Sequence, residues 1–423
     1  MALGALIIKQ RTGHSDDETV NDILENPYMQ FLIGLHEFVT ESPFSQSTMT
    51  SFRKCITKEM IDEINDNLFR PTKKDDDETP PKNDNDEKPS TEDMPKNKGS
   101  LLLDATCAPA NMAYPTDINL LNEAREKLEG IIDILHKKGN TTTKPRTYRQ
   151  KARRSYLRFV KQRKPRKNTI RKARGQQLRY VCRNLKHIEK QLETVSLATL
   201  STRQKEWLET IKELYRQQEV MHRTRTFSIE NRIVSISQPW VRPIVRGKAK
   251  HDTEFGAKVT TSMVDGYAFV DKLSWDAYNE ESLLIPAVCA YYETYGVYPE
   301  TVLADKLFRN RKNLAFCKKY GIRLSGPRLG RQTVQAKKLQ IQQEQKDASA
   351  RNAVEGKLGE GKTKYGLDRI MARLQGTAQT VISLVFLCMN ISRRLRFLLH
   401  FFIWQLFNQF FTKNYVDNFL KVV

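Results

Sequence analysis

Residues 351–363 read RNAVEGKLGEGKT, and Gly356–Thr363 within them satisfies the phosphate-loop pattern G-x-x-x-x-G-K-[ST] at every fixed position. Taken alone, the match would make this a nucleotide-binding fold. A working phosphate loop leaves a buried strand and opens a helix, because only then can its amides wrap phosphates. The residues before it, KLQIQQEQKDASARNAVE, are polar and rich in helix formers, with no buried strand among them. No apolar strand ending in a Walker-type carboxylate follows either. The stretch is better read around Glu355, at the end of a helical segment. Gly356, Gly359 and Gly361 each weaken a helix by about 1 kcal/mol, so a turn is expected just after Glu355.

Two further carboxylates end apolar, strand-like runs: Asp104 in SLLLDAT and Asp305 in ETVLAD. A carboxylate there is poorly placed for core packing and well placed at the rim of a parallel sheet, where active sites of open α/β folds lie. The surrounding pattern supports such a sheet. Val234, Ile236, Phe255, Ala257, Val259 and Met263, then Phe269, Val270 and Leu273, favour strands, with Asp265-Gly266 as a hairpin turn. Helical spacing covers Ile118–Leu135, Leu178–Tyr215, Ser282–Tyr295, Arg309–Tyr320 and Leu367–Leu387, and Gly321–Ser325 reads as a short strand. Asp252, Asp271 and Asp276 crowd the same region and are assigned to strand surfaces or caps. Cys107, Trp240 and Trp275 are assigned to the core.

Three carboxylates converging on one point repel unless cations neutralise them. Hard divalent ions with oxygen ligands do this, and two Mg²⁺ about 4 Å apart can drive phosphodiester cleavage. The charge balance agrees: 71 Lys+Arg against 49 Asp+Glu leave +22 on 423 residues, an excess suited to a polyanion. From Lys144 to Arg174 lie fifteen Lys/Arg and no Asp or Glu, interleaved with Tyr148, Tyr156, Leu157, Phe159 and Val160. A segment so one-sided repels itself unless a polyanion is near. Arg146, Arg149, Lys151, Arg153, Arg154, Arg158, Lys161, Arg163, Lys164, Arg166 and Lys167 are therefore candidates for binding phosphate.

Residues 1–70 read as a small helical unit, with pieces at Asp16–Leu24, Gln30–Thr40, Ser47–Thr57 and Lys58–Phe69. Residues 71–99, rich in Asp, Lys, Pro and Asn, cannot bury enough surface to offset the entropy of ordering and are expected to form a linker. Six scattered cysteines without a C-x-x-C pair argue against a zinc site or disulfide framework and fit a reducing cytosol. The start, MALGALIIKQ, lacks the basic region of a secretion signal. Near the end, VISLVFLCMN and FLLHFFIWQLFNQFF are strongly apolar, but Arg393, Arg394 and Arg396 interrupt them. Neither run reaches the roughly 20 residues that span a bilayer, so no membrane partner is expected.

These residues together resemble a bacterial insertion-sequence transposase of the DDE type. The likeness lies in LLLDATCAPANMAYPTD around Asp104, TVLADKLFRNRKNLAFCKKYGIRLSGPRLGR around Asp305, and RNAVEGKLGEGKTKYGLDR around Glu355. Arg351, Glu355 and Lys362 supply part of a Y-R-E-K signature, whose Tyr would fall at Ala348. On a helix, residues at −4, 0 and +7 share a narrow sector, so Arg351 and Lys362 can flank Glu355 and meet DNA phosphates.

The resemblance implies an α/β RNase H-like catalytic core over 100–392, with a basic helical insertion over about 130–231. A small all-α, InsH-type N-terminal domain (1–70) would precede it and an apolar helical tail (393–423) follow. It also implies Asp104, Asp305 and Glu355 as catalytic metal ligands for two Mg²⁺, with Mn²⁺ able to substitute. The partners implied are double-stranded DNA, as terminal inverted repeats and target, and a second protomer pairing two ends, in the bacterial cytoplasm at the nucleoid. The chain begins inside what resembles the N-terminal domain, so terminal-repeat recognition is expected to be incomplete. The competing reading is a catalytically inactive remnant that only binds DNA.

Overall fold

A computed structural model describes residues 1–71, 96–139, 143–245, 253–327 and 334–419. The stretch 72–95, most of the expected linker, lies outside the described residues. The N-terminal helices are α1 (Ala2–Thr12), α2 (Asp16–Glu25), α3 (Pro27–Leu32), α4 (Gln46–Cys55) and α5 (Lys58–Phe69). Local chemistry starts them: Ser15 and Glu18 form a reciprocal capping box on α2, and Asn26 caps α3 with Pro27 in its first turn. The helix expected over Gln30–Thr40 stops at Leu32. Gly34 turns the chain at φ 92°, and the buried Gln30 carboxamide bonds the backbone of Leu24 and Val39, holding an irregular segment in place of a helix.

The sheet is mixed. Its strands are β1 (Ser100–Pro109), β2 (Arg242–Val245), β3 (Thr253–Val264), β4 (Tyr267–Ser274), β5 (Thr301–Leu303) and β6 (Arg323–Leu324), in the order β2-β3-β1-β5-β6, with β4 also on β3. β1 pairs antiparallel with β3 and parallel with β5, which pairs parallel with β6. β3 and β4 meet at Asp265-Gly266, both at positive φ, as the hairpin motif requires. Leu101, Leu102 and Leu103 are all buried because both faces of β1 are covered. Leu101 and Leu103 pack with α10 (Leu284–Tyr295) and residues of α11 (Arg311–Lys319), whereas Leu102 joins Met263, Leu303 and Val354 on the other face.

Between β1 and β2 rises a helical unit: α6 (Asp117–Lys138), α7 (Arg149–Val160), α8 (Lys167–Leu192) and α9 (Thr202–Thr224). The apolar stripes of α6, α8 and α9 form their own core, closed by Ile233 and Ile236 as the chain returns to the sheet. Asp117, in the first turn of α6, ties entry to exit. Its carboxylate pairs with buried Arg174 of α8 at 3.1 Å and with Arg232 at 2.7 Å, and accepts from Gln218 of α9 at 2.9 Å.

The last two helices depart most from expectation. α12 (Val334–Lys364) runs unbroken through Gly356, Gly359 and Gly361, so no turn follows Glu355. Tertiary packing overrides the weak propensity: Val354, Lys357, Leu358, Gly361 and Tyr365 form a buried stripe. A Cβ at Gly361 would lie 2.9 Å from Met389 Sδ, so this glycine permits the approach of the final helix, α13 (Gln375–Phe419). α12 ends at Lys364, and Gly366 (φ 66°) turns the chain away. Residues 367–374 are not the helix expected there: Leu367 is buried, and Ile370 forms a parallel bridge with Ala110. The tail expected from residue 393 is the continuation of α13 itself.

The first half of α13 lies among α1, α4, α5 and β4, which puts the N-terminal helices and the sheet around one shared core. Buried Asn390 completes the backbone of β4: its carboxamide accepts from Ala268 N at 3.0 Å and donates to Ala268 O at 2.8 Å and Asn65 Oδ1 at 3.0 Å. Among the described residues no helix is long and apolar enough to cross a membrane.

Lys357 is the costly member of the α12–α13 packing. Burial pushes its ammonium down to about 8, although it donates to Met389 O at 3.0 Å. Below pH 8 native and unfolded chains both hold the proton, and the native state bears the full burial cost. As pH rises towards 10.5, only the unfolded chain stays protonated and the cost fades. Lys357→Met should therefore stabilise the protein by about 2 kcal/mol at pH 7, with the gain shrinking by pH 10. Denaturant melts at both pH values measure it; destabilisation at pH 7 would refute the account.

Candidate active site

Parallel pairing brings the first two carboxylates together. Leu102 of β1 stands opposite Leu303 of β5, so two residues further along each chain come Asp104 and Asp305. Strand alternation puts Asp104 on the face of Leu102, the face that α12 covers through Val354. Asp104 Oδ1 accepts from Ala105 N at 2.8 Å, and its main-chain carbonyl accepts from Thr261 on β3 at 3.2 Å. Asp305 caps the short helical turn Lys306–Phe308, accepting from Lys306 N at 2.7 Å, and its side chain stays half-exposed.

Across from them α12 presents Arg351, Glu355, Leu358, Gly359 and Lys362, spaced along one helical face. These residues, Asp104, Asp305 and the start of β1's outer half enclose a cleft of about 680 Å³. The helical sector expected for Arg351, Glu355 and Lys362 is thus present, and it is intact because the glycines do not break the helix. Gly359 leaves the wall low beside Glu355, where a Cβ would meet nothing within 4 Å.

The cleft concentrates charge. Burial raises the Asp104 carboxyl above its ordinary value; the negative charges of Glu355 and Glu280 add to this, and the Arg351 guanidinium opposes it. Arg351 lies 3.7 Å from Asp305 Oδ1, and its buried Nε has no hydrogen-bond partner among the described residues. Glu280 and Lys258, paired at 2.7 Å, also line the cleft. Sequence reasoning missed both. Glu280 sits in NEES, which reads as a helix start capped by Asn279, and Lys258 is one cation among many.

The donor set, carboxylate oxygens on three separate elements, suits a hard divalent ion in kind. In the present arrangement, among the described residues, no three carboxylate, imidazole or thiol groups are close enough to enclose one. Arg351 is the cation now against Asp305.

The basic segment lies on the helical unit, outside the cleft. Arg146, Lys151, Arg153, Arg154, Arg158, Lys161, Arg163, Lys164, Arg166 and Lys167 are exposed. α7 turns Ala152, Ser155 and Tyr156 inward, with Ser155 bonded to Gln176 and Tyr156 to Asn119, and sends its cations outward. Arg149 differs: it is half-buried and bonds Asp133 at 2.7 Å. Cys107 and Trp275 are buried as expected, and Trp275 packs edge-on against Trp240 at 6.5 Å between ring centroids.

Asp104, midway along β1, and Asp305, just past β5, thus face Arg351, Glu355 and Lys362 of α12 across a cleft lined by charges of both signs. Residues 302–392 match the family of transposase DDE domains. This stretch runs from β5 into α13 and holds Asp305, Arg351, Glu355 and Lys362; Asp104 lies outside it. An uncharacterised protein of Rhizobium meliloti, described as ORF8 in the nfe locus, is 28% identical over 158 residues, covering 37% of this chain and 67% of that protein. No solved structure matches the chain.

Proposed function

We propose that the chain is a DNA transposase with an RNase H-like core, cutting transposon ends and joining them to target DNA. The observation that carries this reading is the cleft itself, where parallel register sets Asp104 beside Asp305 and α12 brings Glu355 to face them. Asp104, Asp305 and Glu355 would hold Mg²⁺, or Mn²⁺ in its place. When bound, a metal pair supplies an activated water and stabilises the departing 3′ oxygen.

The chain's own groups do the rest. Arg351 balances Asp305 on the cleft wall, where its guanidinium can meet a phosphate oxygen. Lys362, about three turns beyond Arg351 on α12, gives the same wall of the cleft a second cation for the DNA backbone. The exposed cations of α7 and of residues 161–167 hold the DNA backbone outside the cleft, and two protomers pair two ends in the bacterial cytoplasm at the nucleoid.

Incubation with DNA carrying the element's inverted repeats tests the reading. Nicks leaving a 3′-OH are expected with Mg²⁺ or Mn²⁺ and not with EDTA. Salt-sensitive binding without nicking under either metal would leave the inactive remnant as the better account.

Replacing Arg153, Arg154, Arg158 and Lys161 together by Ala should weaken binding to all duplexes alike. The slope of log K against log salt should fall by about 0.9 for each phosphate that the protein no longer neutralises. An unchanged slope would remove α7 from the DNA interface.

A further inference from the structure

A second cavity, larger than the cleft, lies between the N-terminal helices and the chain from Lys364 to Leu384. It holds about 810 Å³, inside the roughly 300–1,000 Å³ of sites that bury a small ligand. Its walls differ in chemistry. Buried Leu6 and Leu384, with Val381 between α13 and α4, make one side apolar. Six Lys and Arg line the cavity against two Asp. Asp16 is already taken up by two of them: Lys9 lies at 2.7 Å, and Arg53 donates to both carboxylate oxygens at 2.8 and 2.6 Å. Lys54, Arg369 and Arg373 are exposed and pair with no carboxylate among the described residues. The walls are fixed to each other, since Gln10 of α1 donates to Tyr365 O at 2.6 Å and Arg11 to the Tyr365 hydroxyl at 2.8 Å.

We infer that this cavity seats one nucleotide, its base against the apolar side and its phosphate among the cations. Charge selects the occupant. Cations arrive from α4, from the end of α12 and from the segment before α13, and a phosphate accepts from several such donors at once. An acyl chain with a single carboxylate would leave most of them without a partner. Gln46 and Thr50 add side chains that both donate and accept, as the hydrogen-bonding edge of a base requires. Position points the same way. α12 borders both cavities, with Lys362 on the cleft and Lys364, two residues later, on this one. The nucleotide is either free or an unpaired unit of a DNA strand that extends beyond the cleft.

Binding measured without metal keeps this inference separate from the nicking chemistry, which succeeds or fails on its own. Calorimetry with deoxyadenosine monophosphate tests the free form. Fluorescence anisotropy of a blunt duplex, and of the same duplex with an unpaired tail, tests the strand. The parent protein should bind the monophosphate, prefer the tailed duplex, or do both. Lys54→Glu with Arg373→Glu should weaken that binding or shrink that preference at least about tenfold, because like charges then face the phosphate. Both side chains are exposed, so the melting point should not move. Val381→Trp, which fills the apolar side and leaves the cations in place, should have the same effect. The inference is overturned if the parent shows neither binding nor preference, if either variant behaves like the parent, or if decanoate binds and the monophosphate does not.

Discussion

Asp104→Asn is expected to reduce metal-dependent nicking by at least about a thousandfold while leaving the protein more stable than the parent. The two effects have one cause. In the native state burial and the charges of Glu355 and Glu280 raise the Asp104 carboxyl above its ordinary value. The stabilising contribution of such a group is complete below the unfolded carboxyl's range and is lost as pH rises through the raised native value. Above that raised value the folded chain carries an ionised carboxylate at a cost. Asn removes that cost and the ligand together. The gain in denaturant midpoint should vanish as pH falls and the parent's carboxyl takes up its proton. Asp305→Asn, at a half-exposed side chain, should lose activity without a comparable gain. If Asp104→Asn nicked DNA as well as the parent, the carboxylate would have no part in the chemistry. If it were strongly destabilised, the electrostatic account of the cleft would be wrong.

Asp117→Leu should cost about 3–5 kcal/mol, the largest stability loss expected of an exchange outside the sheet. One carboxylate serves Arg174, Arg232 and Gln218 from three parts of the helical unit, and Arg174 is buried. Removing it leaves two guanidinium groups with their counter-charge gone, in a place where water reaches them poorly. Asp117→Asn keeps an acceptor and should lose less. Urea unfolding of the three proteins decides it. A loss under about 1 kcal/mol for Asp117→Leu would show that the arginines find solvent or other partners.

Much of the candidate site was legible because its signals are local. An apolar run ending in Asp identified the end of β5, and the spacing of Arg351, Glu355 and Lys362 identified a helix face. The same signal misplaced the end of β1, which runs past Asp104 to Pro109 because it keeps pairing with β3. Lys144–Arg174 announced a cationic surface by composition alone, though Arg149 and Arg174 are taken up by Asp133 and Asp117. Glu280 and Lys258 carried no such signal, since each becomes part of the cleft only by where β3 and the turn before α10 come to rest. Asp117 carried no signal for the same reason: its partners are 57, 101 and 115 residues away.

The stretch Arg351–Thr363 shows where the division falls. Its residues and their intervals settle which groups share a side if the segment is helical, and the polar run before it excludes a phosphate loop. Whether the helix survives three glycines depends on Val354 against Leu102 and Gly361 against Met389, packing that involves segments far away in the chain. The pairing of β1 with β5, which makes neighbours of Asp104 and Asp305, is of the same kind. Side-chain periodicity is written into consecutive residues. Backbone hydrogen bonds between strands are the same for every pair of partners, so the choice among them rests on how the whole core packs.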